Sequence, residues 1–210
     1  MNPVRIITVS SLYGGGGPEV AERIASGLGW NLLDHELLKK IAARANVDEK
    51  VAAKYDQQVD PWFNRLVKAL WRGGFERGAG GSGEGLMDCE GMLEFTRNAM
   101  HEAADIGNCV IMGRGGQCIL RERKDAFHIF LYAPVEYRAR RLQKSIGGTL
   151  DEAKAEAERV DKERVGYIRR YFGENWFEPA LYDLMLDSSI GDDAVAAVAL
   201  CAVRGRTGGK

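Results

Sequence analysis

The chain alternates short apolar runs with segments in which apolar residues recur at helical spacing. The apolar runs predict strands at residues 4–9, 30–33, 109–112, 126–133 and 183–187. The periodic segments predict helices over residues 18–28, 35–45, from 48 onward, 86–106, 134–146, 150–171 and 193–204. Strands that alternate with helices form right-handed βαβ units. The predicted fold class is therefore α/β, a three-layer α/β/α arrangement with a parallel sheet of about five strands.

The first strand leads into the most informative segment, the consecutive glycines at 14–17. Val20, Ile24 and Leu28 follow at helical spacing, so the glycines connect a strand to the N-terminus of a helix. Glycines let the backbone approach an anion, and the N–H groups and dipole of the helix attract negative charge. A glycine run alone is also compatible with a flexible turn. Its position between a strand and a helix favours a phosphate-binding loop.

The glycine loop departs from the common phosphate-binding pattern G-x-x-x-x-G-K-[ST] at its functional positions. Gly17 occupies the place of the lysine that contacts the β- and γ-phosphates. Pro18 and Glu19 follow, where the pattern has the Ser or Thr that binds Mg²⁺. A carboxylate can bind Mg²⁺, but it also adds negative charge beside phosphates. We therefore expect the backbone amides of the glycines to bind the phosphates.

Several glycine and polar segments directly follow predicted strands. They are the 14–17 loop, Asp34, Gly113-Arg114 and the helix that begins at Pro134 and carries several arginines. In a parallel sheet, ligands bind beyond the carboxyl ends of the strands. The sequence therefore predicts one binding site at this edge of the sheet.

The 210-residue length favours a single domain. Within it, residues 46–106 are predicted to be a helical insertion, and the glycine-rich segment 73–85 a mobile loop. Trp62, Leu66 and Leu70 recur every four residues in the insertion. This apolar stripe is expected to be part of the core or of a subunit interface.

The composition and net charge of the chain give expectations about its partners and its cellular location. The net charge of −1 gives no general attraction for nucleic acid, so no nucleic-acid partner is expected. No apolar stretch reaches the about 20 residues of a membrane-spanning helix, and the N-terminal residues run directly into the first strand without room for a cleavable signal. The four cysteines lack the spacing of a metal site or a disulfide framework. We therefore expect a cytoplasmic protein with reduced thiols and no membrane association.

Taken together, these segments resemble the cytidylate kinase-like family, a branch of the P-loop nucleoside monophosphate kinases. The resemblance covers nearly the whole chain and is carried by residues 13–19, 28–34, 112–115, 131–134 and 161–184. It implies a P-loop kinase-like fold with a helical lid and an insertion of the kind that binds nucleoside monophosphates. Pro18 replaces an arginine of the family's loop. Gly115 replaces the aspartate that reads cytosine, so cytosine specificity does not follow from the resemblance.

The resemblance implies ATP and Mg²⁺ as cofactors and gives roles to individual residues. Those implied to bind the donor nucleotide are Tyr13, Gly14, Gly15, Gly16, Gly17, Pro18 and Glu19, of which Glu19 is also the candidate metal ligand. Those implied to bind the acceptor are Asp34, His35, Lys40, Arg114, Arg159 and Asp161. Those implied to act in catalysis are Arg114, Arg138, Arg141 and Arg164.

Three functions fit these features. The leading hypothesis is a nucleotide-dependent phosphotransferase that uses ATP-Mg²⁺ and a nucleoside monophosphate or a related small phosphorylated or hydroxyl compound. The missing loop lysine motivates a second hypothesis, a non-catalytic, pseudo-kinase module that binds nucleotide and regulates partners. The third is a structural scaffold in which the stripe at Trp62 forms a homodimer interface.

Residues 134–171 are expected to form a lid-like hairpin of two helices joined near residues 147–149. Arg138 and Arg141 are three positions apart and share a helical face. The apolar stripe of the second helix is predicted to be Leu150, Ala153, Ala157 and Val160. Because clustered arginines repel one another, bound phosphate is expected to draw the lid shut. The alternative is a fixed hairpin whose arginines are solvated.

Overall fold

The structure, a computed structural model, describes residues 3–34, 37, 62, 65–66 and 89–208. The chain forms two compact units, one made of residues 1–32 and 108–210 and the other of residues 33–107. The segment that the sequence predicts to be a helical insertion falls in the second unit. Trp62 and Leu66 are buried there. Leu70 and the glycine-rich segment 73–85 lie outside the described residues.

The described residues form one five-stranded sheet. Its strands are β1 (Ile6–Ser11), β2 (Asn31–Leu33), β3 (Cys109–Met112), β4 (Ala126–Tyr132) and β5 (Leu184–Asp187). The order in the sheet is β2-β3-β1-β4-β5, and β1 is parallel to both of its neighbours, as β4 is to β5. The predicted α/β class with a parallel sheet is confirmed. Strand β1, which leads into the glycine loop, lies at the centre of the sheet.

Helices connect the strands along the chain. They are α1 (Gly17–Leu28), α2 (Cys89–Ile106), α3 (Gly116–Ile119), α4 (Val135–Ile146), α5 (Leu150–Phe172) and α6 (Asp192–Gly208). Short 3-10 helices at Pro179–Leu181 and Ser188–Ile190 flank β5. Across the described part of the chain, no helix is both long and apolar enough to cross a lipid bilayer.

The central strands are covered on both faces, as the three-layer α/β/α arrangement predicted from the sequence requires. Helices α1 and α6 pack on one face, where they share a core with Phe127, Ile129 and Leu131 of β4. On the opposite face, Phe130 packs against Ile168 of α5 and the ring of Trp176, with a ring-centroid distance of 5.3 Å to Trp176. The result is the three-layer arrangement expected from the sequence.

Strand β1 ends two residues later than the hydrophobic pattern predicts, because the apolar run stops at Val9. Ser10 and Ser11 continue the strand by pairing with Phe130 and Leu131 of β4. Both serines are buried, and the Ser10 hydroxyl donates a hydrogen bond to Gln117 Oε1 over 2.9 Å. The backbone ladder with β4 thus extends the strand to the start of the glycine loop.

Helices α4 and α5 form a hairpin over the segment where the sequence predicts a lid. Their contact is a small core of Ala139, Leu142, Ala153 and Ala157, against which Tyr13 packs. Leu150 does not join this core, because it is the first residue of α5 and its side chain is 39% exposed. The turn before it is fixed by Thr149 and Glu152, whose side chains each accept a hydrogen bond from the other's backbone N–H.

Candidate phosphate-binding site

The glycine loop leaves β1 in a tight turn. The N–H of Gly15 donates to the carbonyl oxygen of Leu12 over 3.0 Å. Gly14 and Gly16 have φ angles of 79° and 78°, in the left-handed region that side-chain-bearing residues rarely adopt. Gly16 is also the N-cap of α1, so the loop passes directly into the helix.

The loop packs so closely against its surroundings that it has no room for side chains. A Cβ atom at Gly14 would lie 2.9 Å from the carbonyl oxygen of Arg138, and one at Gly15 would lie 2.9 Å from that of Leu12. At Gly17 it would lie 2.2 Å from Ser11 Oγ. All these distances are shorter than van der Waals contact, which explains why the chain has glycine throughout the loop.

The loop presents backbone N–H groups that the protein itself does not use. Within the described residues, the N–H groups of Gly14, Gly16, Gly17 and Glu19 have no hydrogen-bond acceptor. Gly16 and Gly17 are buried. Buried N–H groups are nearly always paired in folded proteins, so this set indicates a site for an anion at the N-terminus of α1.

Tyr13 fastens the loop to the α4–α5 hairpin through its backbone. Its N–H donates to Asp161 Oδ1 over 2.8 Å, and its carbonyl oxygen accepts from Arg138 Nη1 over 2.8 Å. Arg164 Nη1 donates to the carbonyl oxygen of Ser11 over 2.6 Å, and the Arg164 guanidinium lies 5.5 Å from the centre of the Tyr13 ring. Two residues of α5 and one of α4 therefore determine the path of the loop.

The ion pair between Arg138 and Asp161 is buried. Their Nη1 and Oδ2 atoms are 2.7 Å apart, and the Arg138 side chain is 7% exposed. Arg138 Nε also donates to the carbonyl oxygen of Ala133 over 3.0 Å. Arg138 thus has three protein acceptors, of which the carbonyl oxygen of Tyr13 connects α4 directly to the glycine loop.

Positive charge is concentrated beside Tyr13. Burial lowers the pKa of Arg164, and the nearby charges of Arg114 and Arg138 lower it further, although Asp161 opposes this shift. The negative charge of Asp161 opposes the repulsion among these arginines. Three guanidinium groups, those of Arg114, Arg138 and Arg164, thus lie near the carboxylate of Asp161, and such a group of arginines suits an anion.

Arg114 adopts an uncommon backbone conformation. It has a φ angle of 56° and lies between Gly113 and Gly115, with φ angles of 72° and 74°. The three residues form a left-handed turn closed by a hydrogen bond of 3.1 Å from the N–H of Gly116 to the carbonyl oxygen of Gly113. A Cβ at Gly115 would lie 2.6 Å from the Phe172 ring. An arginine kept in this conformation at a strand end is a candidate functional residue.

The strain at Arg114 gives a testable difference between two truncations. Arg114→Gly and Arg114→Ala both remove the guanidinium, but only glycine adopts the left-handed region without cost. We expect the glycine variant to be more stable than the alanine variant by about 0.5–1 kcal/mol, after allowing for the greater freedom of unfolded glycine. Urea unfolding of the two variants measures this. Equal stability, or a more stable alanine variant, would contradict it.

Arg141 lies on the other side of the loop, in a group of carboxylates. Its Nη1 and Nη2 atoms donate to the two carboxylate oxygens of Asp192 over 2.8 and 3.0 Å. Nη2 is also 3.3 Å from Glu19 Oε1. Burial acts to lower the pKa of Arg141, but hydrogen bonds with Asp192 and Tyr137 outweigh it and raise the pKa.

Other predicted site residues have different environments. Arg159 is exposed and pairs with Glu156 and Glu163 along α5. Pro18 is exposed in the first turn of α1. Asp34, in the second unit, accepts a hydrogen bond of 2.8 Å from the N–H of Leu37. His35 and Lys40 lie outside the described residues.

Sequence analysis missed Asp192 and Ser11. Asp192 begins the helix that follows β5, and strand-end reasoning applied to β5 as well as to the earlier strands would have singled it out. Ser11 stands six residues before Gly17, where the common loop pattern has its first glycine. The sequence therefore contained a signal for both residues.

Comparisons with known proteins agree with this architecture. The sequence model of the cytidylate kinase-like family matches residues 6–190. Among solved structures, an uncharacterized protein from Eubacterium ventriosum matches with a TM-score of 0.68 and 17% identity, over 95% of this chain and 98% of that one. A gluconokinase from Sinorhizobium meliloti matches with a TM-score of 0.55 and 14% identity, over 99% and 95% of the two chains.

A shikimate kinase from Bacteroides thetaiotaomicron matches with a TM-score of 0.53 and 14% identity, over 95% of this chain and 98% of that one. At such identities, the likeness shows a common fold, that of the P-loop kinases. No curated protein matches the sequence significantly.

Proposed function

The chain belongs to the cytidylate kinase-like family, and we propose that it is a nucleotide-dependent phosphotransferase with ATP-Mg²⁺ as the donor. The proposed acceptor is a nucleoside monophosphate or a related small phosphorylated or hydroxyl compound. In phosphoryl transfer, the protein acts mainly by positioning the reactants and by stabilising the charge of the transferred group. Groups for both tasks lie around the glycine loop.

One observation carries this proposal: the unused N–H groups of Gly14, Gly16, Gly17 and Glu19 lie together at the N-terminus of α1. Their positive ends, together with the helix dipole, suit the donor phosphates. The close packing around the glycines fixes the loop before any ligand arrives, so little ordering is required on binding.

The arginines are proposed to act on the transferred phosphoryl group and the acceptor. Arg164, whose burial and arginine neighbours make an anionic partner favourable, is proposed to contact the transferred group. Arg114 and Arg159 are proposed to contact the acceptor. Arg138 and Asp161 are proposed to hold Tyr13, and through it the loop, in the binding conformation.

Magnesium is proposed to arrive with the donor phosphates, whose charge it neutralises when bound. Glu19 is the proposed protein ligand, because it lies in the first turn of α1 and its side chain is 50% exposed. No group of three or more His, Cys, Asp or Glu residues in the described part of the chain could hold a metal ion. Phosphate oxygens and water would therefore supply the other ligands, as is usual for Mg²⁺.

The proposal is tested by titrating the chain with ATP and ADP in the presence of Mg²⁺ by calorimetry. A transfer assay with nucleoside monophosphates and small hydroxy acids follows. We expect saturable binding of both nucleotides and turnover with at least one acceptor. Arg164→Met is expected to lower kcat/KM by more than about tenfold, because a charge-assisted contact to the reacting group is lost.

Arg169→Met is the matched control, because Arg169 is an exposed arginine of the same helix. Its kcat/KM should stay at the wild-type value. The absence of nucleotide binding to the wild-type chain would overturn the proposal.

A second function, non-catalytic nucleotide binding, is favoured by the lack of a loop lysine at Gly17 and of an arginine at Pro18. The same experiments separate the two functions. Saturable binding of ATP with no transfer to any acceptor would support a regulatory pseudo-kinase module.

The compartment and the oligomeric state are also proposals. Cys109, Cys118 and Cys201 are in the thiol form, and burial raises the pKa of Cys109 to about 12 and that of Cys118 to about 11. Reduced thiols suit the cytoplasm. Trp62 and Leu66 are buried within the chain, which favours a core role for their stripe over a subunit interface. A homodimer would appear as a doubled mass in solution.

A further inference from the structure

The structure shows why the glycine loop has no lysine of its own. Ser11 Oγ would lie 2.2 Å, and Met112 Cε 2.6 Å, from a Cβ atom at Gly17. Side chains of β1 and β3 therefore fill the space where a lysine at position 17 would begin. If the loop binds donor phosphates, as proposed above, a cation from another element must replace that lysine.

Arg141 of α4 has the right position for this role. A Cβ atom at Gly16 would lie 3.1 Å from Arg141 Nη2. The guanidinium therefore lies against the backbone of the residue whose N–H is one of the unused donors of the loop. Arg138 and Arg164, by contrast, donate to the carbonyl oxygens of Tyr13 and Ser11 at the start of the loop.

Asp192 fixes Arg141 in this position. Its two carboxylate oxygens accept from both Nη atoms over 2.8 and 3.0 Å, and its side chain is only 14% exposed. Asp192 Oδ1 would also lie 2.5 Å from a Cβ at Gly16, so the carboxylate contacts the loop itself. Such a bidentate pair fixes the plane of the guanidinium as well as its distance from the loop.

The pair leaves Arg141 able to bind an anion. A guanidinium has more N–H donors than the hydrogen bonds of Arg141 with Asp192 and Tyr137 use. The second carboxylate beside Arg141, that of Glu19, lies at the longer distance of 3.3 Å from Nη2. Because the Glu19 side chain is 50% exposed, solvent weakens this ion pair. A phosphate group can therefore approach Arg141 while Asp192 keeps it in place.

We propose that Asp192 is a positioning residue that holds Arg141 at Gly16, where the guanidinium supplies the positive charge that a loop lysine supplies in other P-loop proteins. The inference rests on the proposed function and adds to it a specific replacement for the missing cation. It also gives a role to the first residue of α6.

The test compares Asp192→Asn with Asp193→Asn. Both changes remove one negative charge from the first turn of α6, but Asp193 is 92% exposed and pairs with Arg23 instead. Calorimetric titrations use the full chain, with ATP-Mg²⁺ and separately with sodium tripolyphosphate, which has no base or sugar. Asp192→Asn is expected to weaken the binding of both ligands by about tenfold, because the orientation of a charged donor is lost. Asp193→Asn should change neither.

Two further variants separate positioning from a general structural effect. Asp192→Glu keeps a carboxylate and should recover most of the affinity that Asp192→Asn loses. In an Arg141→Met background, Asp192→Asn should cause no additional loss, because the residue acts only through Arg141. Thermal melting of each variant shows whether it is folded.

Several results would overturn the inference. Tighter binding of ATP or tripolyphosphate by the Asp192→Asn variant would mean that the ion pair with Asp192 keeps Arg141 away from the phosphates. Equal affinities of the Asp192→Asn and Asp193→Asn variants, or an undiminished effect of Asp192→Asn in the Arg141→Met background, would also contradict it. In these cases, wild-type binding of ATP leaves the proposed function intact. If the wild-type chain binds neither ATP nor tripolyphosphate, the proposed function fails and the inference with it.

Discussion

Replacement of Arg138 by leucine is expected to lower the free energy of unfolding by about 3–5 kcal/mol, the usual cost of leaving a buried partner charge unpaired. The change leaves the carboxylate of Asp161 without its ion-pair partner. The carbonyl oxygens of Tyr13 and Ala133 also lose a donor each. Urea unfolding monitored by far-UV circular dichroism measures the effect.

Arg140→Leu is the matched control, because Arg140 lies in the same helix and is exposed. It should change stability by less than about 0.5 kcal/mol. Adding Asp161→Asn to Arg138→Leu should recover part of the loss, since the amide removes the unpaired charge and still accepts from the N–H of Tyr13. An Arg138→Leu variant as stable as the Arg140→Leu variant would show that the pair contributes nothing to the fold.

Introducing the missing lysine of the loop pattern by Gly17→Lys is expected to destabilise the protein by about 2–3 kcal/mol through overpacking. The new Cβ would lie 2.2 Å from Ser11 Oγ and 2.8 Å from Ser11 Cβ, which belongs to a rigid central strand. The double change Ser11→Gly and Gly17→Lys removes these two contacts and restores the first glycine and the lysine of the pattern together. It should recover at least about half of the lost stability.

Gly166→Lys serves as the control for this prediction. Gly166 lies within α5, and a Cβ there meets no atom within 4 Å. Lysine at that position should leave stability unchanged or raise it slightly, because lysine is a better helix former than glycine. Full stability of Gly17→Lys, or no recovery in the double variant, would disprove the steric role given to Ser11.

The local pattern of apolar, polar and glycine residues was sufficient to predict the fold class and the strand–loop–helix segment around the glycines. The apolar run before the glycines, the helical spacing after them and the alternation of strands with helices led to the correct α/β class. The family was also correct, because its motifs extend along most of the chain. These features depend on neighbours in sequence, so periodicity and turn chemistry are sufficient to find them.

The C-terminal end of β1 illustrates the limit of local pattern. Ser10 and Ser11 carry no hydrophobic signal, and they belong to the strand because β4 offers them a backbone partner. Leu150 illustrates the reverse case, since it fits the apolar stripe of α5 but is exposed at the first turn of that helix.

For the candidate site, the sequence by itself determined that a glycine loop joins the first strand to a helix, and that arginines follow two later strands. Only the tertiary structure decided which groups meet. The N–H of Tyr13 pairs with the carboxylate of Asp161, 148 residues away, and Arg141 pairs with Asp192, 51 residues away. Such pairs depend on the packing of α4, α5 and α6 around the sheet. A long charged side chain can reach many different partners. The positions of the helices around the sheet determine which of these partners it contacts.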